Sequence, residues 1–490
     1  MTSRTSIALN RFGYGLALGD NVPSDPVRYL RGQMDAFDPA PLAIRTREDM
    51  SAKPGEILEL IRTFRRQRQS RMAETGEDRS TAMRAIMEGS GANDPLAGLP
   101  PELRSSYMRA GRWLRRDVGL RTNVAIASET PFIERLVHFW SNHFSVSAQK
   151  PGTHYLVAGH EFDAIRPNVL GTFSDMLKAA VLHPAMLMYL DQFGSIGPNS
   201  RFMQSRQGMR RRRNGGVPRG LNENLAREIM ELHTLGVDGG YSQVDVTELA
   251  RALTGWTIQG LRRVGRFGEP QASGAAFVSI VHEPGARTIM GRRYEDDGAR
   301  QALVMLDDLA AHPSTARFVA TKLARHFAGD VPPKSLVARL EQNFLETDGD
   351  LASLTHILID SPEVWANEPV KFRQPYEWLV ASLRLAGIDA LDENRIAGAL
   401  DAIGQVPWRA PSPAGYDDKE ASWAGPDALF RRVELAERIA RGARGDDVLA
   451  RADAAFPGAL SDHTRTWLSR AESGRQGFAL LLVAPEMMRR

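Results

Sequence analysis

The 490-residue chain contains no cysteine. Disulfide bridges, thiolate nucleophiles and cysteine-ligated zinc or iron–sulfur centres are therefore excluded, and any metal site would need histidine and carboxylate ligands. A large excess of one charge is also missing, because 62 Lys and Arg stand against 59 Asp and Glu. This balance does not indicate a nucleic-acid-binding protein, so only a local basic patch would attract an anion.

Long apolar runs are absent as well. No stretch of eighteen apolar residues occurs, so we predict no membrane span. The opening segment MTSRTSIALNRFGYG lacks the apolar centre of a signal peptide, and we therefore expect a cytoplasmic protein. The glycine-rich phosphate loop, the nucleophile elbow and the dinucleotide-binding fingerprint do not occur, which removes the best-known nucleotide and serine-hydrolase motifs.

The hydrophobic pattern predicts an all-α fold. Apolar residues recur near the helical period through most of the chain, and 42% hydrophobic residues suffice for a large core. We expect one many-helix domain over residues 1–490, with coarse halves at 1–260, which holds the polar motifs, and 261–490. One interval, 276–294, alternates as a strand does and predicts a small β-hairpin that turns at 283–286.

The densest polar segment is NENLAREIMELHTLGVDGGYSQVDVTELARALTGW, which opens with a predicted helix over 222–235. Helical spacing places Arg227 and Glu231 in one polar column, with Asn224 and Glu228 beside it. If this face meets water, it is a ladder of salt bridges. If it faces inward, the two glutamates are candidate acid–base groups or metal ligands, and Arg227 tunes their protonation or binds a substrate anion.

Histidines mark a second candidate helix, TPFIERLVHFWSNHFSVS, at residues 130–147. His138 and His143 lie five residues apart, so their side chains point about 140° apart around the helix. This spacing differs from the zinc-binding HExxH pattern, in which the histidines lie four apart. Each histidine can serve a separate site or be a hydrogen-bonded core residue. Together with His233, they are the candidate ligands for Zn, Mn or Fe in a thiol-free site.

Two loops complete the set of candidates. Residues 201–219 contain seven arginines and no acidic residue, a composition typical either of an anion-binding segment or of a solvated loop. Residues 405–425 carry Trp408, Tyr416 and Trp423 among prolines and glycines. Such aromatics either line a site for an apolar or carbohydrate-like ligand or hold a long loop on the core.

Several of these motifs resemble one bacterial family, the domain of unknown function 1800. They are ALNRFGYG, HFWSNHFSVS, FSDMLKAAVLHPAMLMYLD, the long polar segment and the closing APEMMRR. The resemblance extends over nearly the whole chain and implies a mostly helical, full-length domain, without a settled reaction. Members are often encoded beside a sulfatase-like protein, which implies such a partner. The shared polar positions correspond here to His138, Asn142, His143, Asn222, Glu223, Asn224, Arg227, Glu228, Glu231, His233 and Asp238.

The leading hypothesis is a hydrolase, in one version assisted by a divalent metal ion, with a polar site between helices 130–147 and 222–235. The residues assigned to it are Asn224, Arg227, Glu228 and Glu231 for catalysis and His138, His143 and His233 for the metal. The alternative is a non-catalytic binding or assembly protein that uses residues 201–219 and 405–425 and works with the sulfatase-like partner. A third hypothesis is a haem-binding enzyme with His138 or His143 as axial ligand. The expected partner of the enzyme is an anionic substrate, and nucleic acid is not expected.

Overall fold

A computed structural model of the chain describes most of its length. The described residues are 4–47, 59, 63, 66, 69–70, 72–76, 101–150, 152–206, 208–209, 220–261, 268–369, 371–445 and 447–490. Helices dominate these residues, and strands are few and short, so the predicted all-α class with a minor β element is confirmed. No helix within the described ranges is long and apolar enough to cross a membrane.

The first half of the chain contains the histidine-rich helix α5 and a series of other helices. They are α1 (Arg4–Ile7), α2 (Pro26–Ala36), α3 (Leu42–Arg45), α4 (Pro101–Ala127), α5 (Pro131–His143), α6 (Val157–Gly159), α7 (Phe173–Val181), α8 (Pro184–Tyr189), α9 (Arg201–Gln204), α10 (Asn224–Glu228) and α11 (Gln243–Ala252). Wider π-helical turns follow α1, α6 and α10 directly, at Ala8–Phe12, His160–Ile165 and Ile229–His233.

The second half is a succession of helices, in which the long segment 404–425 separates α17 from α18. They are α12 (Ala299–Ala310), α13 (Pro313–Ala328), α14 (Lys334–Glu346), α15 (Leu351–Asp360), α16 (Pro375–Leu385), α17 (Glu393–Ile403), α18 (Pro426–Ala440), α19 (Val448–Ala455), α20 (Asp462–Ser469), α21 (Gly474–Val483) and α22 (Pro485–Met488). Proline at the first position of α5, α13 and α16 fixes where each helix begins, because its missing N–H is not needed there.

The strands lie between the two halves and form two antiparallel sheets. Strands β1 (Trp256–Ile258), β2 (Glu269–Pro270) and β3 (Ala275–Phe277) have the order β1-β3-β2, with Trp256 opposite Phe277. Strands β4 (Arg287–Ile289) and β5 (Arg292–Tyr294) form a hairpin by themselves. All five strands are short, so the sheets flank the helical core.

The hairpin lies inside the predicted interval, but its turn does not lie at 283–286 as expected. Met290 and Gly291 both have positive φ, at 48° and 82°, as a two-residue hairpin turn requires. Strand β3 pairs with β1 instead of β4, because the Glu283 amide donates to Thr254 Oγ1 at 2.7 Å and holds the connecting segment against the end of α11. The pairing therefore depends on a distant contact that local alternation does not encode.

The hairpin is also attached to α11 through a helix cap. Ser242 and Asp245 form a capping box at its start, with Ser242 as the N-cap. The second carboxylate oxygen of Asp245 accepts from the Met290 amide at 2.7 Å. One side chain thus caps a helix and fixes the hairpin turn beside it.

One connected cluster of buried apolar side chains runs from Ile7 to Met488, so both halves share a core. Ion pairs are buried within this core. Arg166 donates to both carboxylate oxygens of Glu134, at 2.7 and 2.9 Å, and each residue is only 2% exposed. A charge in such surroundings is tolerated only with its partner, so each pair fixes the relative position of the elements that carry it.

The Arg166–Glu134 pair predicts a large effect on stability. We expect Glu134→Gln to lower the free energy of unfolding by about 3–5 kcal/mol, because it leaves the buried guanidinium without a countercharge. Urea denaturation followed by circular dichroism measures this difference. Asp453→Asn is the matched control, because the Arg465–Asp453 pair is about half exposed, at 46% and 47%, and we expect a loss of about 0–1 kcal/mol. Equal losses for the two variants would contradict the prediction.

Candidate functional site

A cavity of about 330 Å³ opens between α5, α13, the start of α16 and residues 405–418, named here the roof segment. This volume is in the range of small-molecule sites. Its polar and aromatic lining is unusually dense for a helical core. The lining residues considered below are Tyr14, Arg121, Arg135, His138, Phe139, Asn142, His143, Lys322, Arg325, His326, Gln374, Tyr376, Glu377, Trp408, Tyr416, Asp417 and Asp418.

Helix α13 presents three basic residues to the cavity. Lys322, Arg325 and His326 lie at i, i+3 and i+4 and therefore share one face of the helix. Lys322 is partly buried, and among the described residues it has no hydrogen-bond or ion-pair partner; its amine lies 5.4 Å from the centre of the Phe318 ring. Burial lowers the pKa of Lys322 to about 8, although Asp418 opposes the shift.

His326 and Asp418 form a histidine–carboxylate pair. His326 Nδ1 lies 3.4 Å from Asp418 Oδ1, and burial lowers the pKa of His326, so the neutral imidazole is favoured. Burial alone would raise the pKa of Asp418, but the hydrogen bond from His326 and the charge of Lys371 keep it well below its ordinary value. The ionised carboxylate holds the Nδ1 proton, which leaves Nε2 as the acceptor. Nε2 is buried and lies 3.7 Å from Glu377 Oε1, and it forms no hydrogen bond within the described residues.

His138 is held in the opposite orientation by a tyrosine. The Tyr14 hydroxyl and His138 Nδ1 share a hydrogen bond of 2.5 Å, and we assign the hydroxyl as the donor because it has no other acceptor among the described residues. Burial raises the pKa of Tyr14 and lowers that of His138 well below the ordinary value, with Arg121 as the next contributor to the histidine shift. Both groups are therefore neutral near pH 7, and the ring proton is on Nε2. That N–H is buried without an acceptor among the described residues.

Arg121 and Arg135, which also line the cavity, are each paired with a buried glutamate. Arg121 Nε donates to both oxygens of Glu161, at 2.7 and 2.9 Å, and Glu161 also accepts from Ser141 and Trp408. At the cavity floor, Arg135 and Arg490 clamp Glu377, whose pKa falls to about 2 against the opposing effect of burial. These ion pairs form part of the cavity wall, and each cation has a buried glutamate beside it.

The roof segment is attached to α5 through Asn142. Its side-chain amide donates to the Tyr416 carbonyl at 2.9 Å and accepts from the Tyr416 amide at 2.8 Å. Gly415 has a φ of +83°, and a Cβ there would lie 2.5 Å from the Asn142 carbonyl oxygen. Glycine is therefore required for this close approach. Asn142 therefore fixes the roof segment to α5, a role that the sequence of α5 did not indicate.

The aromatic residues of segment 405–425 hold it on the core. Trp408 is buried, and its Nε1 donates to Glu161 at 2.9 Å. Trp423 packs against Tyr416, with ring centres 5.9 Å apart, and its Nε1 donates to the Asp417 carbonyl at 2.8 Å. Trp408 and Tyr416 also line the cavity, and a ligand for these aromatics stays a prediction.

The structure separates the sequence-predicted site residues into two groups. His138 and His143 line the cavity, whereas Asn224, Arg227, Glu228, Glu231 and His233 do not. The polar column of α10 forms a network with α11 instead. Arg227 donates to Gln243 at 3.0 Å and lies 3.6 Å from Glu223, which accepts from Thr247. The partners of this column lie along α11 and not on α5.

The two remaining glutamates lie beside this network. Glu228 and Glu231 are partly exposed, and Asn224 is exposed. Burial is the main cause that raises the pKa of Glu228, and the neighbouring charge of Glu231 adds to it. The expected joint site of these carboxylates with the histidines of α5 is therefore not formed, because the carboxylate-bearing face of α10 does not line the cavity.

His233 does not line the cavity, but it contacts His143, which does. His143 Nε2 donates to the His233 carbonyl at 3.0 Å, and the two ring centres are 6.3 Å apart. His233 is fully buried, with both ring nitrogens unpaired among the described residues, and burial lowers its pKa to about 3. The hydrogen bond to the His233 carbonyl therefore links α5 to the π-helical turn that follows α10.

The three histidines do not form a common metal site. His138 contacts Tyr14, whereas His143 and His233 contact each other. Among the described residues, no group of three or more His, Asp or Glu side chains is arranged to hold a metal ion. In the basic segment, Arg201 and Arg206 are exposed, and residues 210–219 lie outside the described part of the chain.

Sequence reasoning missed the basic face of α13, Asp418 in the roof segment, and Tyr14. Lys322 and His326 lie four residues apart on a helix with an apolar face, a spacing that also occurs on many solvated helices. Tyr14 belongs to the ALNRFGYG motif, and Asp418 to the sequence YDDKE. A signal was present at Tyr14, because an aromatic hydroxyl beside two glycines stands out in a motif shared with a family.

The whole chain was also compared with known proteins. Residues 7–489 match the family model described as "Protein of unknown function (DUF1800)". The chain belongs to the DUF1800 family. The resemblance seen in the motifs is thereby confirmed over nearly the full length, and the description of DUF1800 carries no reaction. Searches of curated proteins and of solved structures find no match.

The buried histidines predict a pH dependence of stability. Burial lowers the pKa of His233 to about 3 and those of His154 and His160 to about 4. The unfolded chain binds protons near pH 6.5, whereas these folded residues do not. Their contribution to stability is therefore complete above about pH 6.5 and is lost as the pH falls toward the folded values.

Urea unfolding at about pH 7.5, 6 and 5 tests this prediction, with each histidine contributing at most about 1.4 kcal/mol per pH unit. This window lies above the titration of ordinary carboxylates. We expect His160→Gln to flatten the slope, because its amide retains a donor for the Ala180 carbonyl but takes up no proton. A pH-independent stability across this window would contradict the prediction.

Proposed function

We propose that the cavity is the active site of a hydrolase that works by general acid–base chemistry. The observation that carries the proposal is the contrast within its lining. Arg121, Arg135 and Glu377 are each held in an ion pair, whereas the ring atoms His326 Nε2 and His138 Nε2 are buried without a hydrogen bond among the described residues. An unpaired buried polar group costs about 1–3 kcal/mol, so two of them at one cavity favour a ligand as the missing partner.

In the proposed reaction, His326 is the general base. Its Nε2 accepts a proton from water, and the water oxygen forms the new bond to the electrophilic centre of the substrate. Asp418 holds Nδ1–H and stabilises the imidazolium that results, as in other carboxylate–histidine pairs. The bond to the leaving oxygen then breaks, and His326 returns its proton to that oxygen.

His138 serves this reaction as a neutral hydrogen-bond donor. Tyr14 fixes its tautomer, so Nε2–H is available for the negative charge that develops on a substrate oxygen. Its strongly lowered pKa keeps the ring neutral, and it therefore donates a hydrogen bond without transferring its proton. The aromatic wall of Phe139, Tyr376 and Trp408 limits the access of bulk water, which strengthens such interactions.

This proposal keeps the reaction class expected from the sequence and moves the site to other residues. Each step is assigned to a side chain that lines the cavity. The alternative of a non-catalytic assembly protein with a sulfatase-like partner gives the unpaired histidine atoms no role. The tryptophans assigned to its recognition surface are also engaged with the core or with Tyr416.

Hydrolysis of 4-nitrophenyl acetate, phosphate and sulfate, followed by release of the coloured phenol, tests the proposal. We expect turnover of at least one of these esters and a loss in kcat/KM of about 10²–10⁴-fold in His326→Asn, since that is the usual contribution of a general base. Asp418→Asn should lose activity as well. Asp453→Asn, at an exposed ion pair, is the matched control and should retain wild-type activity.

The rival placement of the site is tested in the same assay. If Glu228→Gln and Glu231→Gln lose activity while His326→Asn retains it, the proposed site is wrong. Absence of turnover of all three esters by the wild-type protein would also count against it. Thermal unfolding of each variant separates loss of the base from loss of the fold.

A further inference from the structure

Two cations of the cavity differ from the rest in having no carboxylate partner. Among the described residues, Lys322 forms no ion pair, and Arg325 has only a 3.4 Å hydrogen bond from its Nε to the Asp330 carbonyl. Arg121 and Arg135, by contrast, are each paired with a buried glutamate. Lys322 and Arg325 are three residues apart on α13 and therefore neighbours on its surface.

The nearby carboxylates are directed to other groups. Asp418 Oδ1 accepts from Gln374 at 2.8 Å and lies 3.4 Å from both Lys371 Nζ and His326 Nδ1. Asp417 is exposed and accepts from Ser422 at 2.6 Å. Neither of these two carboxylates forms a salt bridge with Lys322 or Arg325. Lys322 and Arg325 are therefore without a salt bridge in the described structure, although the charge of Asp418 acts on Lys322 from a longer distance.

We infer that Lys322 and Arg325 form a subsite for an oxyanion, so that the substrate carries a carboxylate, phosphate or sulfate group. The inference rests on the proposed function for the location of the reaction and adds the class of substrate. A guanidinium offers two parallel N–H donors to such a group, and an ammonium adds a compact charge beside them. The aromatic side of the cavity then receives the uncharged remainder of the substrate.

The composition of the lining agrees with a substrate that carries both an anionic group and an apolar part. Phe139, Tyr376 and Trp408 supply apolar ring surface. The amine of Lys322 and the guanidinium of Arg325 supply charge on α13, and His326 follows them on the same helix face. A bound anion would thus stand next to the proposed general base, at the distance of one helical turn.

Isothermal titration calorimetry of the full chain with sodium sulfate, phosphate and acetate near pH 7, at constant ionic strength, tests the subsite. We expect at least one of these anions to bind the wild-type protein. Lys322→Met and Arg325→Met should each weaken that binding at least tenfold, whereas Lys322→Arg should stay within about threefold because it keeps the charge. Lys334→Met is the matched control, since Lys334 is exposed on α14 and its loss changes the net charge equally.

The pattern over the three salts identifies the chemistry: preference for acetate indicates a carboxylate substrate, and preference for phosphate or sulfate indicates a tetrahedral oxyanion. Absence of binding to the wild-type protein, or unchanged binding to Lys322→Met and Arg325→Met, overturns the inference. His326→Asn separates it from the proposed function, because that variant should lose turnover and retain anion binding. Anion binding through both cations without hydrolysis would leave the subsite intact and reject the reaction.

Discussion

The carboxylate of Glu377, clamped between two buried guanidinium groups, is the interaction on which the cavity depends. Arg135 of α5 and Arg490 at the end of the chain both bind it, and Arg490 also donates to the His326 carbonyl at 2.9 Å. Helices α5, α13 and α16 therefore meet at one charge. Without Glu377, two cations would face each other in an apolar core, at a cost that hydrophobic packing alone does not offset.

This clamp explains how unpaired histidine atoms persist beside it. A buried polar group without a partner normally recruits one by a small movement of the surrounding side chains. Here the neighbours of His326 and His138 are held by their own partners, since Arg135 is bound by Glu377 and its guanidinium lies 4.6 Å from the centre of the Tyr14 ring. The rigid lining therefore preserves groups that are available to a ligand.

Sequence reasoning predicted the helices, and the motif resemblance predicted the family. Helical periodicity is a local property, and α5, α10 and α13 therefore follow from it directly. The side of a helix that meets a cavity is not local. The helical positions of Glu228 and Lys322 do not show which of the two side chains faces a cavity. Only the packing of α13 against α5 places the lysine there. In the same way, the pairing of β3 with β1 depends on the Glu283–Thr254 contact and not on alternation.

The position of Arg490 has a consequence for the order of events during synthesis. It lies 113 residues after Glu377 in the chain. Its guanidinium also donates to the Arg11 carbonyl near the start of the chain, at 3.4 Å. On the ribosome, Glu377 and Arg135 are made long before their third partner. The cavity floor is therefore completed late, after α17 to α22 have been synthesised, and an emerging chain carries an incomplete site until then.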